Sequence, residues 1–210
     1  MKVDMHVHTY RCGHSTLTPQ LIVKLAKRKK LDAVAVTDHH SVKPALEVTK
    51  YARKSGIKII TGAEYSTNFG HIVCYNIRED VNEKNFWDVY DFVKEHGGKI
   101  SIPHAFDFFR RGSFINQCPV NERKRIFKKV DFIEINGRSF FFSNVFAKKI
   151  ARLFRKKLIA GSDAHLPVEV GRFYTNIDSK FKPESIHYNE FNLFLPMPLL
   201  VFSFMKKIIK

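Results

Sequence analysis

Only three cysteines occur in the 210 residues, Cys12, Cys74 and Cys118, and they show no paired spacing. That excludes a disulfide framework and fits a reducing, cytoplasmic compartment. No Gly-x-Ser-x-Gly elbow and no P-loop is present, which disfavours covalent serine chemistry and nucleoside-triphosphate binding. Long apolar runs are also missing. The run at 191–205 is broken by Pro196 and Pro198, and a membrane-spanning helix needs ~20 mostly apolar residues. No membrane partner is expected, and that run reads as a segment closing the core. Charged residues begin at Lys2, so no signal peptide is expected either. Acidic residues are scarce, 20 against 36 Lys and Arg, for a net charge of +16. The basic residues cluster at 24–30, 123–129, 148–157 and 206–210. Such patches attract polyanions and make nucleic acid a candidate partner, although solvated helix faces explain the same charge. Phe140-Phe141-Phe142 and the other phenylalanine clusters do not alternate with Lys or Arg along the chain, as a stacking platform would.

What is present is an alternation of strand and helix patterns from end to end. Strands are expected at 3–9, 31–37, 58–62, 71–77, 99–103, 131–135, 158–161 and 173–177. Helices are expected from Thr18, an N-cap followed by Pro19, at 44–55 before Gly56, at 83–96 before Gly97-Gly98, and at 144–156. The stretch between 103 and 131 reads as less regular. Alternation of this kind predicts βαβ units and a parallel sheet, in one domain spanning 1–210. Its core covers about 1–178, with 179–210 as a closing segment. Histidines and carboxylates recur where strands end, and barrel enzymes place their sites there, so a closed barrel is favoured over an open sheet.

Those residues carry the chemistry. Asp4-Met5-His6-Val7-His8-Thr9 opens the chain and is followed by His14. Period-two alternation puts His6 and His8 on one face. Thr37-Asp38-His39-His40, Glu64, His71, Pro103-His104 and Gly161-Ser162-Asp163-Ala164-His165 follow. Imidazole with carboxylate suits zinc, iron or manganese. Cys12 lies between His8 and His14, within reach of a metal, although a small buried hydrophobe is its plainer reading. His96 and His187 match no motif and read as surface residues.

In that order the motifs closely resemble the polymerase and histidinol phosphatase (PHP) family, from Asp4 to about Asp178. The resemblance implies an α/β fold, a distorted seven-stranded (β/α)7 TIM-like barrel carrying two or three divalent ions, in enzymes that hydrolyse phosphoesters. It also implies that His6, His8, Glu64 and Asp163 hold one ion, that Glu64 bridges to a second held by His71 and His104, and that His14, His39 and His165 hold a third. The chain departs from many members in having Pro103-His104-Ala105 where they have His-Pro. Metal-bound hydroxide is the expected nucleophile. Asp38 and His40 are candidates for orienting ligands or shuttling a proton. Arg110 and Arg111, with Arg138, are candidates for binding phosphate, because the planar guanidinium matches its oxygens; Arg172 is a weaker one. The expected substrate is a phosphorylated small molecule, a nucleotide or an oligonucleotide end. Two other readings stay open. One is a non-catalytic RNA-binding barrel like the related protein subunit of ribonuclease P, which would have no reason to keep nine ligands together. The other is a metal-dependent amidohydrolase, which would place a lysine at a strand end, and none is found.

Overall fold

In the first strand, β1 (Lys2–Val7), every residue after Lys2 is buried, so both faces must find cover. Val3 and Met5 pack against residues from other strands only, Ala33, Ile60, Val73, Tyr75, Phe132, Ile159 and Ile177. Val7 instead packs with Ile22, Leu25 and Val48 on the covering helices. The side-chain alternation therefore inverts along β1, where the pairing with the next strand slips between Asp4 and Val7. A bulge of this kind re-aims side chains. It turns His6 and His8 into the barrel, where simple alternation from Met5 would have turned them out.

The computed structural model describes residues 1–178 and 182–187. After β1 come α1 (Pro19–Arg28), β2 (Ala33–Val36), α2 (Lys43–Ala52), β3 (Lys58–Thr67), β4 (Gly70–Tyr75), α3 (Phe86–Glu95) and β5 (Lys99–Ile102). Then follow α4 (Phe114–Gln117), α5 (Val120–Lys129), β6 (Phe132–Asn136), α6 (Phe141–Leu153), β7 (Lys157–Gly161), β8 (Tyr174–Ile177) and β9 (Pro183–His187). Thr18 caps α1 through a bond to Leu21 N, with Pro19 in the first turn. The closing segment expected at 179–210, with its apolar run, lies largely outside the described residues. Among the described residues no helix is long and apolar enough to cross a membrane.

The strands form one sheet in the order β7-β6-β5-β4-β3-β2-β1-β8-β9. It closes nearly into a barrel. Val7 bridges Ala164 beyond the end of β7, with His8 N donating to Ala164 O at 2.9 Å. The seven-stranded parallel expectation is corrected on two counts. Nine strands are described, and β3–β4, β4–β5, β1–β8 and β8–β9 are antiparallel. The cause is local. β3 continues five residues past Gly62 and turns through Asn68-Phe69 into β4, with Thr67 opposite Gly70. A connection that short can only join antiparallel strands. The stretch read as irregular contains α4 and α5. In α5 only Ile126 and Phe127 are buried, too few to make an apolar stripe visible in the sequence.

Candidate metal centre

Side chains from β1, β3, β4 and the exits of β2, β5 and β7 converge at one end of the barrel. His6 and His8 are fully buried, and their Nε2 atoms lie 2.9 Å apart. His6 Nδ1 is 2.9 Å from Glu134 Oε1 on β6, which fixes the ring and turns Nε2 toward the centre. Around the two Nε2 atoms stand Glu64 Oε2, at 3.5 and 3.4 Å, and Asp163 Oδ1, at 3.8 and 3.3 Å.

Glu64 is the hub. Its Oε1 lies 2.9 Å from His104 Nε2 and 3.1 Å from His71 Nδ1, while Oε2 faces His6, His8 and His39 Nδ1, the last at 3.3 Å. The antiparallel hairpin makes this possible. β4 runs against the parallel strands, so its first residues reach the same rim as their last. Glu64 and His71 are diagonal neighbours across that pair, with Ser66 opposite His71, a separation long side chains span. The segment after β2 then pins Glu64, whose N–H donates to Asp38 O at 3.0 Å while His40 N–H donates to its carbonyl at 2.9 Å.

His14, His39 and His165 form a further group. His165 stacks on His14 and on His8 with ring centroids 4.6 and 4.3 Å apart. Donor atoms fall within 4.8 Å of one another in four sets: His6-His8-Glu64, Glu64-His71-His104, His14-His39-His165 and His8-Cys12-His165. Cys12 thus stands within reach of the cluster. Asp38 accepts from Thr9 N–H and Oγ1 at 3.0–3.1 Å, which fixes the turn leading to Cys12 and His14. His40 is exposed, with its ring centroid 6.4 Å from that of His39, and belongs to none of the four sets. His40, His104 and Asp163 all adopt positive φ, 57°, 33° and 53°, a conformation costing about 1–3 kcal/mol outside glycine and concentrated at functional sites.

The donor set fits cations. His165 Nδ1 is engaged by Asp163 O, while its Nε2 is buried with no hydrogen-bond partner among the described residues, and buried polar atoms ordinarily have one. Burial, helped by Arg110, lowers His104 to about 3. Burial, with His8 and His14 beside it, lowers His39 to about 4 despite Glu64. Both rings are therefore neutral, as ligands must be. Burial opposes charge on His6, yet Glu134, Asp163 and Glu64 outweigh it and raise the ring well above its usual range. Burial would raise Asp163, but Arg110, His6 and His8 outweigh it and hold the carboxyl well below the carboxylate range. The carboxylates thus call for positive charge between the rings, which divalent ions would supply.

The cluster opens into a cleft of about 420 Å³ lined by His14, His39, Glu64, His71, Asp107, Phe109, Arg110, Arg138, Phe140, Asp163 and His165. Arg110 Nη1 donates to Asp163 Oδ2 at 2.8 Å, and Arg138 Nη1 stands 2.6 Å from His165 Nδ1. Arg111 is exposed and does not line the cleft. His96 and His187 are exposed and belong to none of the donor sets, stacking on Phe92 and Tyr174.

Sequence reading missed three supports. Glu134, besides holding His6, accepts from His104 N–H and Asn136 Nδ2 at 3.3 and 3.1 Å. Asp4 accepts from the N–H groups of Ser162 and Gly171 at 2.9 and 2.8 Å and from Ser162 Oγ, tying β1 to the exit of β7. Glu169 accepts from His165 and Leu166 N–H. Glu134 and Asp4 carry a signal, a single carboxylate within a strand that is buried almost throughout, which must find partners. Glu169 carries none.

A family model described as the PHP domain matches residues 4–162, and one described as PHP-associated matches 142–186. The chain belongs to the PHP family. An uncharacterized protein of Methanocaldococcus jannaschii is 30% identical over 199 residues, covering 91% of this chain and 77% of the relative. The "probable phosphatase" of Acetivibrio thermocellus is 28% identical over 203 residues, covering 81% and 82%. Among solved structures, a two-domain protein from Bacteroides vulgatus containing a "predicted PHP-like metal-dependent phosphoesterase" superposes with a TM-score of 0.69 at 19% identity. That match covers 83% of this chain and only 58% of the other, and it establishes the likeness of fold.

Proposed function

We propose that this protein is a metal-dependent phosphoesterase acting on a phosphomonoester of a small metabolite or nucleotide, or on an oligonucleotide end. Two or three zinc, manganese or iron ions would be held by His6, His8, His14, His39, Glu64, His71, His104, Asp163 and His165. The observation that carries this reading is the Glu64 carboxylate, whose two oxygens face different histidine groups, as a group joining two cations would. Bound ions would acidify a water and neutralise phosphate oxygens. The chain's own residues do the rest. Glu134 holds the His6 ring so that Nε2 faces the centre, and Asp38 holds the Thr9–Cys12 turn beside it. Arg110 and Arg138 line the cleft, and a guanidinium has five N–H donors, so bonds to Asp163 and His165 leave others for phosphate oxygens. Arg111, outside the cleft, ranks behind both. His40, exposed and next to His39 in the chain, would move a proton between site and solvent. The phosphatase relative supports the reading, and three free cysteines fit a cytoplasmic location.

The test is turnover of a phosphomonoester panel and short oligonucleotides by protein loaded with manganese or zinc. Hydrolysis is expected, abolished by chelator and restored by metal. Tight RNA binding with no turnover of any phosphoester would overturn the proposal in favour of an RNA-binding barrel.

A further inference from the structure

Phenylalanines from two separate segments gather near the cleft, with Phe109 and Phe140 lining it. Phe108 and Phe109 come from the loop after β5, and Phe140, Phe141, Phe142 and Phe146 from the start of α6. Phe109 is 75% exposed, Phe141 50% and Phe108 49%. Single exposed apolar residues need no explanation, but a contiguous patch marks a binding surface. This patch is ordered by its own contacts. Phe109 and Phe140 have ring centroids 5.1 Å apart with planes tilted by 59°, and Phe140 stacks on Phe142 at 5.6 Å with planes only 3° from parallel. Two of these rings, Phe109 and Phe140, line the same cleft as Glu64, Asp163, Arg110 and Arg138. Each of these arginines neighbours a phenylalanine in the chain, Arg110 after Phe109 and Arg138 two residues before Phe140. Folding brings the two segments together, with Phe109 against Phe140, into one mixed cationic and aromatic surface.

We propose that Phe109 and Phe140 form a stacking shelf, the face of one ring with the other tilted against its edge, that selects phosphoesters whose alcohol carries a flat aromatic ring. The phosphate would sit at the donor cluster between Arg110 and Arg138, with the ring laid on the shelf at the mouth. The shelf rests on the phosphoesterase reading for its place in catalysis, though binding reads it independently. A nucleobase and a simple arene share the required chemistry. Stacking is tolerant of ring identity because every such ring has a π-face.

The experiment uses metal-loaded protein and two matched pairs of substrates, adenosine 5′-monophosphate against ribose 5-phosphate, and 2-phenylethyl phosphate against ethyl phosphate. Each pair keeps a primary alcohol as leaving group and differs in the ring. Loss of one base–aromatic stack weakens binding by roughly five- to 150-fold, so KM should favour the ring-bearing member by on the order of tenfold. Phe109→Ala and Phe140→Ala should shrink that ratio, Phe109→Leu should shrink it too, and Phe109→Trp should keep it. Leu153→Ala, another exposed apolar truncation, should leave it unchanged. A preference in the first pair alone assigns a nucleobase, and one in both pairs assigns any flat ring. Equal KM values within both pairs, or a ratio unaltered in the Phe109 and Phe140 variants, would overturn the shelf while leaving the phosphoesterase reading intact. If no phosphoester is turned over, that reading fails, and calorimetry with 2-phenylethylphosphonate against ethylphosphonate decides the shelf. Equal affinities would then refute it. A dimer in sedimentation that dissociates in Phe109→Ala, with the KM ratio unchanged, would overturn it in favour of a contact between copies.

Discussion

Replacing Glu134 by Gln tests whether the cluster is built to hold cations. Glu134 is fully buried and belongs to none of the donor sets, so the change leaves all nine proposed ligands in place. Its Oε1 faces His6 Nδ1 at 2.9 Å, and its Oε2 accepts from His104 N–H and Asn136 Nδ2. A glutamine can keep one of these roles only by setting its NH₂ against donors on the other side. His6 then loses a charged partner and its fixed orientation. Losing such a support typically weakens metal binding by about 10–100-fold, which is about 1.4–2.7 kcal/mol of binding free energy. The assay is thermal unfolding with and without metal. Excess ligand stabilises the folded state through its free concentration relative to Kd, so the metal-induced rise in Tm should shrink by the same free energy. For a domain of this size that is about 3–11 °C. Competition with a chromophoric chelator gives Kd directly. An unchanged Kd and an unchanged metal-induced rise would refute the assignment of Glu134 as the group that orients His6.

Glu64→Gln should lose most bound metal and nearly all phosphoester turnover together, whereas His40→Ala should keep its metal by elemental analysis and lose only rate; equal metal loss in both would place His40 among the ligands. Gly112→Ala should reduce bound metal with little change in fold by circular dichroism, because a Cβ there would overlap the His71 ring; full metal content would show that the ring yields freely. Asp4→Asn should lower stability to urea by about 1–3 kcal/mol, since an amide cannot accept from Ser162 and Gly171 as the carboxylate does; a wild-type midpoint would show that these bonds do not hold the closure.

The donors were legible in the sequence because chemistry of this kind is written as short motifs, and the structure gathers His6, His8, Glu64, His104, Asp163 and His165 within one buried cluster. The geometry that gathers them was less legible. Period-two alternation puts His6 and His8 on one side, but which side depends on the register shift between Asp4 and Val7, and pairing register is a property of two strands. Strand β3 runs on past Gly62 to Thr67 although Gly62, Glu64 and Ser66 interrupt its apolar pattern, because Glu64 faces the polar cluster rather than an apolar core. Helix α5 is hard to see in the sequence because only Ile126 and Phe127 of its residues are buried. The phenylalanine shelf was invisible for a different reason. Phe109 and Phe140 lie 31 positions apart, and only the packing of the β5 loop against α6 makes them neighbours.

The reversed strand is the feature that joins fold to chemistry. A wholly parallel barrel offers its rim only strand exits, each followed at once by a loop, and loop-borne ligands are held less firmly than ligands on a ladder. Turning β4 antiparallel puts a strand entrance on the same rim. Glu64 can then sit inside β3, three positions beyond Thr61, the last residue paired in parallel with β2, with β4 on one side and the Asp38–His40 segment on the other. The backbone of the central carboxylate is thereby bonded on both edges, and a one-residue slip on either would turn its side chain to the opposite face. A group that must address two sets of histidines at once needs that fixity more than any other in the cluster, since an error in its position is felt by both. The hairpin, which departs from the parallel barrel expected of the sequence, is what provides it.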